Sequence, residues 1–253
     1  MVATPALTPF DLLLLVAGFA VAGFAKGLAG MGLPLIATPV LAGVFGPRPA
    51  VVIISIPILV ANTLLLAHGW RSLGLLRGIA LMLGAGAVGT VAGVLLLAQL
   101  DQRVFAVLIA ALVALFLLRG ERLFGDDVSA RRVIAAGPLV ALLGGALQGS
   151  TSIASPLVGS YFHARRLAPR DFVLVLAALF QLNSLVQVTG FALLGLFTPE
   201  LVALALLGLV PTLLALIAGI ELRGRISPVR FRQLIAALLV LSSANLLWRT
   251  FVA

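Results

Sequence analysis

Phe24-Ala25-Lys26-Gly27-Leu28-Ala29-Gly30-Met31-Gly32-Leu33-Pro34 interrupts apolar sequence with three glycines, a proline and the only lysine of the chain. An ammonium beside a glycine-rich break marks a candidate site inside a membrane, because ionisable residues at that depth are costly and are kept where they serve a function. If the first helix begins at Phe10, Lys26 lies about 24 Å along it. A related break recurs 122 residues later, at Gly149-Ser150-Thr151-Ser152-Ile153-Ala154-Ser155-Pro156.

The surroundings of these breaks fix the fold class. The chain is 62% hydrophobic and only 10% charged, with a mean hydropathy of +1.24. Soluble domains carry about 25% charged residues, so this chain lacks the polar side chains to cover a water-facing surface. Charge-free runs of about 20 residues are too long for barrel strands and point to an all-α, polytopic transmembrane bundle. The net charge of +9 comes from arginines scattered through short loops. That pattern fits anionic lipid headgroups and excludes a nucleic-acid partner. Without cysteine there is no disulfide, thiol chemistry or thiolate metal site. No basic region precedes the first apolar run, so that run is expected to remain as a helix.

Apolar segments fall at 10–30, 33–45, 49–67, 73–99 and 103–118, then at 133–149, 153–162, 171–197, 200–220 and 229–251. The 13-residue run 33–45 reaches only about 20 Å as a helix, short of a 30 Å hydrocarbon core. It therefore reads as part of a broken or re-entrant element. The polar stretch 119–132 divides the chain into an N-terminal transmembrane repeat, 1–118, and a C-terminal one, 133–253. At an offset of 122, Gly27 matches Gly149, Pro34-Leu35 matches Pro156-Leu157, Pro47-Arg48 matches Pro169-Arg170, and Thr90 matches Thr212. At 126, Leu108-Ile109-Ala110-Ala111-Leu112 matches Leu234-Ile235-Ala236-Ala237-Leu238.

Arginine placement sets the orientation. Inverted repeats with the linker inside leave only Arg48, Arg103 and Arg249 outside, 3 against 13. Parallel four-helix repeats, the alternative, put 7 outside against 9 inside. The inverted arrangement puts both termini outside and brings the two breaks to the repeat interface, where transporters place their substrate.

Several groups could then serve an anion. Gly27, Gly30, Gly32 and Pro34 open the first break, and free N–H groups at a half-helix N-terminus attract negative charge. The second break offers Gln148, aligned with Lys26, then Gly149, Ser150, Thr151, Ser152, Ser155 and Pro156. Its amide and hydroxyls are neutral hydrogen-bonding groups. The bland alternatives are packing glycines, a snorkelling lysine and hydroxyls that glue helices. On the segment from Phe172, Gln181, Asn183, Ser184 and Gln187 form an inward stripe, and Ser55 and Asn62 are its first-half counterpart, lining a pathway or joining helices. Asp11, Asp101, Asp171, Glu200 and Glu221 all sit near segment ends, so a carboxylate relay is not expected. His68 and His163 show no metal or catalytic spacing, and no cofactor is implied.

Gly27-Leu28-Ala29-Gly30-Met31-Gly32, the following run with Pro39, the Pro47 loop and the second copy resemble the TauE/SafE sulfite exporter family over essentially the whole chain. The sequence departs from that pattern at Leu33-Pro34, where glycine is frequent, and in the serines of the second break. The resemblance implies a multi-pass protein of the cell membrane, in bacteria the inner membrane, that moves sulfite, sulfonates or other small organic anions. It agrees with an anion site at Lys26.

The combined expectation is a secondary transporter, with a small anion and membrane lipid as partners and a homo-oligomer left open. An anion channel and a non-transporting membrane subunit are the alternatives. An intramembrane serine hydrolase at Ser150 or Ser152 is disfavoured, since no histidine lies within a span to activate either. A topology reporter fused after Ala253 should read outside. An inside C-terminus would remove both repeat arrangements.

Overall fold

A computed structural model describes residues 8–119, 130–223, 225 and 228–252. They form ten α-helices: α1 (Pro9–Ala29), α2 (Leu33–Phe45), α3 (Pro47–Gly69), α4 (Ala80–Gln99), α5 (Gln102–Arg119), α6 (Ala130–Thr151), α7 (Ser155–Ala164), α8 (Pro169–Leu193), α9 (Pro199–Glu221) and α10 (Pro228–Phe251). A 3-10 stretch, Trp70–Ile79, joins α3 to α4. Seven helices are long and apolar enough to cross a membrane, while α2 is shorter. Of the polar stretch expected at 119–132, residues 120–129 lie outside the described residues. Arg119 ends α5, and α6 starts at Ala130.

Local sequence explains where the helices begin. Proline opens α1, α3, α8, α9 and α10, the position where its fixed φ suits a helix and its missing N–H is not needed. Thr8 caps α1 reciprocally with Asp11: Asp11 N–H donates to Thr8 Oγ1 at 3.2 Å, and Thr8 N–H donates to Asp11 Oδ2 at 3.1 Å. Thr198 caps α9 at Leu201 N–H. The run expected to start at 73 becomes α-helical only at Ala80. Gly74 and Gly78, with no neighbour within 4 Å of a would-be Cβ, offer neither helix propensity nor packing to hold an α-helix through that stretch.

The bundle keeps its buried polar groups inside an otherwise apolar interior and is greasy outside, the order a lipid solvent favours. Lys26, Thr38, Ser55, Asn62, Gln148, Asn183 and Gln187 are all buried, whereas Leu81, Val88, Leu193, Val210, Leu214 and Leu241 are exposed. Large apolar residues also fill the interior, with Phe19, Ile53, Phe105 and Phe191 in one cluster and Met31, Tyr161, Phe162 and Phe180 in a second.

Two glycine-lined helix pairs bind the bundle together, α1 against α9 and α4 against α6. Gly23 faces Thr212, and Gly27 faces Leu216 and Gly219. Gly145 faces Gly86 and Thr90, and Gly149 faces Thr90 and Gly93. Gly23 and Gly145, Gly27 and Gly149, and Thr90 and Thr212 are each 122 positions apart. The same contact thus occurs twice: the first long helix of each half lies on the fourth-placed helix of the other. Thr90 and Thr212 each donate back to a carbonyl in their own helix, Gly86 and Gly208 respectively.

The registers also give directions. Residue numbers rise together along α1 and α9 (23 with 212, 27 with 219) and along α4 and α6 (89 with 142, 93 with 149). They rise together along α4 and α8 as well, where Gly86 faces Asn183 and Gly190 faces Val94. Each pair is therefore parallel.

A Cβ at Gly27 or Gly149 would run into the Leu216 or Thr90 carbonyl of the facing helix. Backbone cannot yield as a side-chain tip can, so Gly27→Val and Gly149→Val should each cost about 1–3 kcal/mol and lower the thermal midpoint of the detergent-solubilised protein. Gly84→Ala, at a helical glycine with open space around it, should leave the midpoint unchanged or raise it slightly.

Candidate functional site: two breaks around one cavity

The first break is built from two left-handed glycines. α1 ends as Gly30, at φ +79°, turns its N–H back to the Lys26 carbonyl at 2.7 Å. This is the usual way a glycine terminates a helix. Gly32, at φ +99°, then starts α2. A side chain at Gly30 would also press on Val173.

The second break has the same shape with different chemistry. Ser152 stands where Gly30 stands, 122 positions on, and is also left-handed, at φ 62°. Its N–H donates to the Gln148 carbonyl at 2.9 Å, the counterpart of the Gly30–Lys26 bond. A non-glycine residue in that region is strained by roughly 1–3 kcal/mol and persists only when its surroundings hold it there. Gln187 of α8 does so. Its Nε2 donates to the Gln148 carbonyl at 2.7 Å and to Ser152 Oγ at 3.0 Å, while its Oε1 accepts from Gln148 Nε2 at 3.4 Å. In the first half, Leu65 occupies the position equivalent to Gln187, so that clamp exists once. The first break is tethered differently: Arg223, just past α9, donates to the Gly27 carbonyl at 2.6 Å.

Both breaks open on one cavity. Lys26, Gly32 and Pro34 line it from the first, Gln148 and Ser155 from the second. Met31, Ile58 and Phe180 complete its wall. The cavity is small, with room for about one water molecule. Lys26 is 1% exposed, and its Nζ lies 6.0 Å from the centroid of the Phe180 ring. A cation–π contact at the edge of its range supplies roughly 0.5–2 kcal/mol. Removing an ammonium from water costs several kcal/mol, so the ring compensates it only in part. Among the described residues no carboxylate pairs with Lys26.

The cavity also holds unused hydrogen-bonding capacity. Ser155 Oγ is buried without a partner. Neither α2 nor α7 has a side-chain cap at its start, and the first N–H groups of a helix have no partner within it. Pro34 and Pro156 each remove one such donor. What remains at the mouths of the two short helices, beside the ammonium, is a donor-rich, net positive environment that can hold a small anion and would repel a cation.

Other residues read from the sequence have local work. Gly27 and Gly149 face the helices packed on them. Ser150 and Thr151 donate to the Ala146 and Leu147 carbonyls of their own helix, and Thr151 Oγ1 also receives Ile153 N–H. Ser55 bonds the Val52 carbonyl. Gln181 donates to Thr63 at 2.9 Å near the surface, away from the cavity. Asn183 is fully buried against Gly86, with both amide atoms unpartnered. Asn62 Nδ2 donates to Ser184 Oγ at 3.3 Å, and Ser184 in turn donates to the Phe180 carbonyl at 2.6 Å. Asn62 and Ser184 are 122 positions apart, so this bond joins equivalent points of the two halves.

Met31, Ile58 and Phe180 are wall residues that sequence reasoning passed over, since each is an apolar residue in apolar sequence. The offset held the one usable signal: Ile58 and Phe180 are 122 apart, as are Lys26 and Gln148. Among the described residues no three acidic or histidine side chains gather into a metal-binding group.

No curated protein and no solved structure matches the chain significantly. A protein-family model, described as "Sulfite exporter TauE/SafE", matches residues 14–246. With nearly its whole length matched, from within α1 to within α10, the chain belongs to the sulfite exporter TauE/SafE family of membrane transporters.

Proposed function

We propose that this protein is a secondary transporter of the bacterial inner membrane that moves a small oxyanion, sulfite or a related sulfur-containing or organic anion, through the cavity between its two breaks. One observation carries the reading: a fully buried ammonium, without a carboxylate partner among the described residues, in the wall that both breaks share. The family's name supports sulfite as the first anion to test. Lys26 supplies the charge, the starts of α2 and α7 supply backbone donors, and Gln148 and Ser155 bind oxygen without adding charge. No catalytic step is assigned to any residue.

Inverted repeats, 1–118 and 133–253 about the polar linker, complete the reading, and the helix directions support them. α4, α6 and α8 are parallel, and so are α1 and α9. α8 and α9 are joined only by residues 194–198, and two long membrane-crossing helices joined so tightly run in opposite directions. That opposes α1 to α6, the first helix of the other half. Alternating access would then rock the halves about their interface, with Asn62 and Ser184 at the crossing.

Lys26→Met keeps an unbranched side chain one heavy atom shorter and removes the charge. A charge-assisted hydrogen bond is worth about 1.5–3 kcal/mol, so sulfite flux into proteoliposomes should fall about 10- to 100-fold; unchanged flux would remove Lys26 from the mechanism. Gln148→Glu places a carboxylate beside Lys26, and internal pairing should then weaken anion binding at least as much. Stronger binding in that variant would point to a cationic substrate instead.

A further inference from the structure

Phe180 is the one aromatic side chain in the cavity wall, and it lies over the ammonium. The cavity around it is too tight for a four-atom oxyanion, so something must yield when a ligand enters. Gly32 and Pro34 contribute break backbone and a rigid ring. Ile58, branched at Cβ and 1% exposed, has little rotamer freedom, and the Met31 thioether is packed against Gly159. Phe180 differs. Its backbone is pinned, because its carbonyl receives the Ser184 hydroxyl at 2.6 Å and Ser184 is tied to Asn62 across the helix crossing. Its ring can still turn about two torsions with no polar contact to break. Its equivalent across the halves is Ile58, so the two form an unequal pair of jaws with the larger on the side of Lys26.

We propose that Phe180 is the size-selecting residue of the site: its ring covers Lys26 in the empty cavity, withdraws when an anion takes its place, and by its bulk favours a compact oxyanion over one with an extended organic tail. This rests on the anion reading above and deepens it. The ring makes the empty state tolerable, since its π face partly offsets the charge. It releases readily, because an anion attracts the ammonium more strongly than a quadrupole does. Head-group recognition belongs to Lys26 and the helix starts; tail length is limited by the space Phe180 leaves.

The test uses the purified full-length protein and ligand-induced thermal stabilisation with sulfite and the monovalent series methanesulfonate, ethanesulfonate and propanesulfonate. Wild type should bind the shorter members better. Phe180→Ala should shift the ratio of apparent affinities for propanesulfonate and methanesulfonate by about tenfold toward the longer anion, the scale at which one or two carbons are discriminated in an apolar pocket. Phe180→Leu should give a smaller shift in the same direction, and it carries the test if the alanine variant does not fold. If both variants fold, bind sulfite as wild type does and keep the wild-type size profile, Phe180 is not the selector, while the anion reading stands. If wild type binds none of the four anions, or Lys26→Met binds them unchanged, the anion reading fails and this inference falls with it.

Discussion

The close backbone contact of α1 with α9, and of α4 with α6, is the constraint on which the rest of the molecule depends. Lipid tails are as apolar as leucine, so these helices gain nothing by hiding greasy surface from water and associate through close packing instead. Glycines at 23, 27, 145 and 149 allow that packing. Because each contact joins one half to the other, neither half is complete alone. The arrangement also locates the breaks. Gly27 and Gly149 are packed against the opposite half in the last turns of α1 and α6, so the breaks that follow, at Gly30 and Ser152, are held toward the shared interior. The cavity is a consequence of helix packing before it is a consequence of any polar residue.

Within that frame the site is left deliberately incomplete. Most buried polar groups here are satisfied: Thr90 and Thr212 by their own helices, Gln187 by the second break, Ser184 by Asn62 and Phe180. Thr38 and Asn183 are exceptions that do not line the cavity, and Lys26 and Ser155 are exceptions that face it. A protein that needed them only for stability would be expected to pair them, because an unpaired buried charge or hydroxyl opposes folding. Leaving Lys26 and Ser155 open, next to two uncapped helix starts, lowers the stability of the protein.

Much of this was legible in the sequence because membrane insertion leaves coarse marks. The short run 33–45 became α2 with the same bounds, since glycines at 30, 32 and 46 delimit it on both sides. The break at 149–156 was recognisable by its offset from the first, even though a serine replaces the glycine that the left-handed backbone favours. That substitution could not be interpreted from sequence, because what permits it, Gln187, lies 35 residues away on another helix. The 3-10 stretch was missed because hydropathy does not register the loss of α-helical propensity at Gly74 and Gly78. Gln181 was read on the same stripe as Ser184 and Gln187, yet its partner is Thr63 at the surface. A spacing of three fixes which residues share a helix face but not how far along the helix the bundle interior extends.

The two halves are unequal in more than one respect, and the inequalities point the same way. The second break is clamped by Gln187 and carries a strained serine, so its geometry is overdetermined. The first lacks that clamp, having Leu65 in its place, and turns on two glycines that adopt left-handed geometry without strain. Charge sits on the more adaptable side, at Lys26, and the neutral amide on the more rigid side, at Gln148. With equivalent positions of the halves bonded to each other at Asn62 and Ser184, motion of the first break relative to the second need not disturb that crossing. Two similar frames thus surround a common centre and differ in their residues: Gln187 clamps the second break, while the first turns on two glycines.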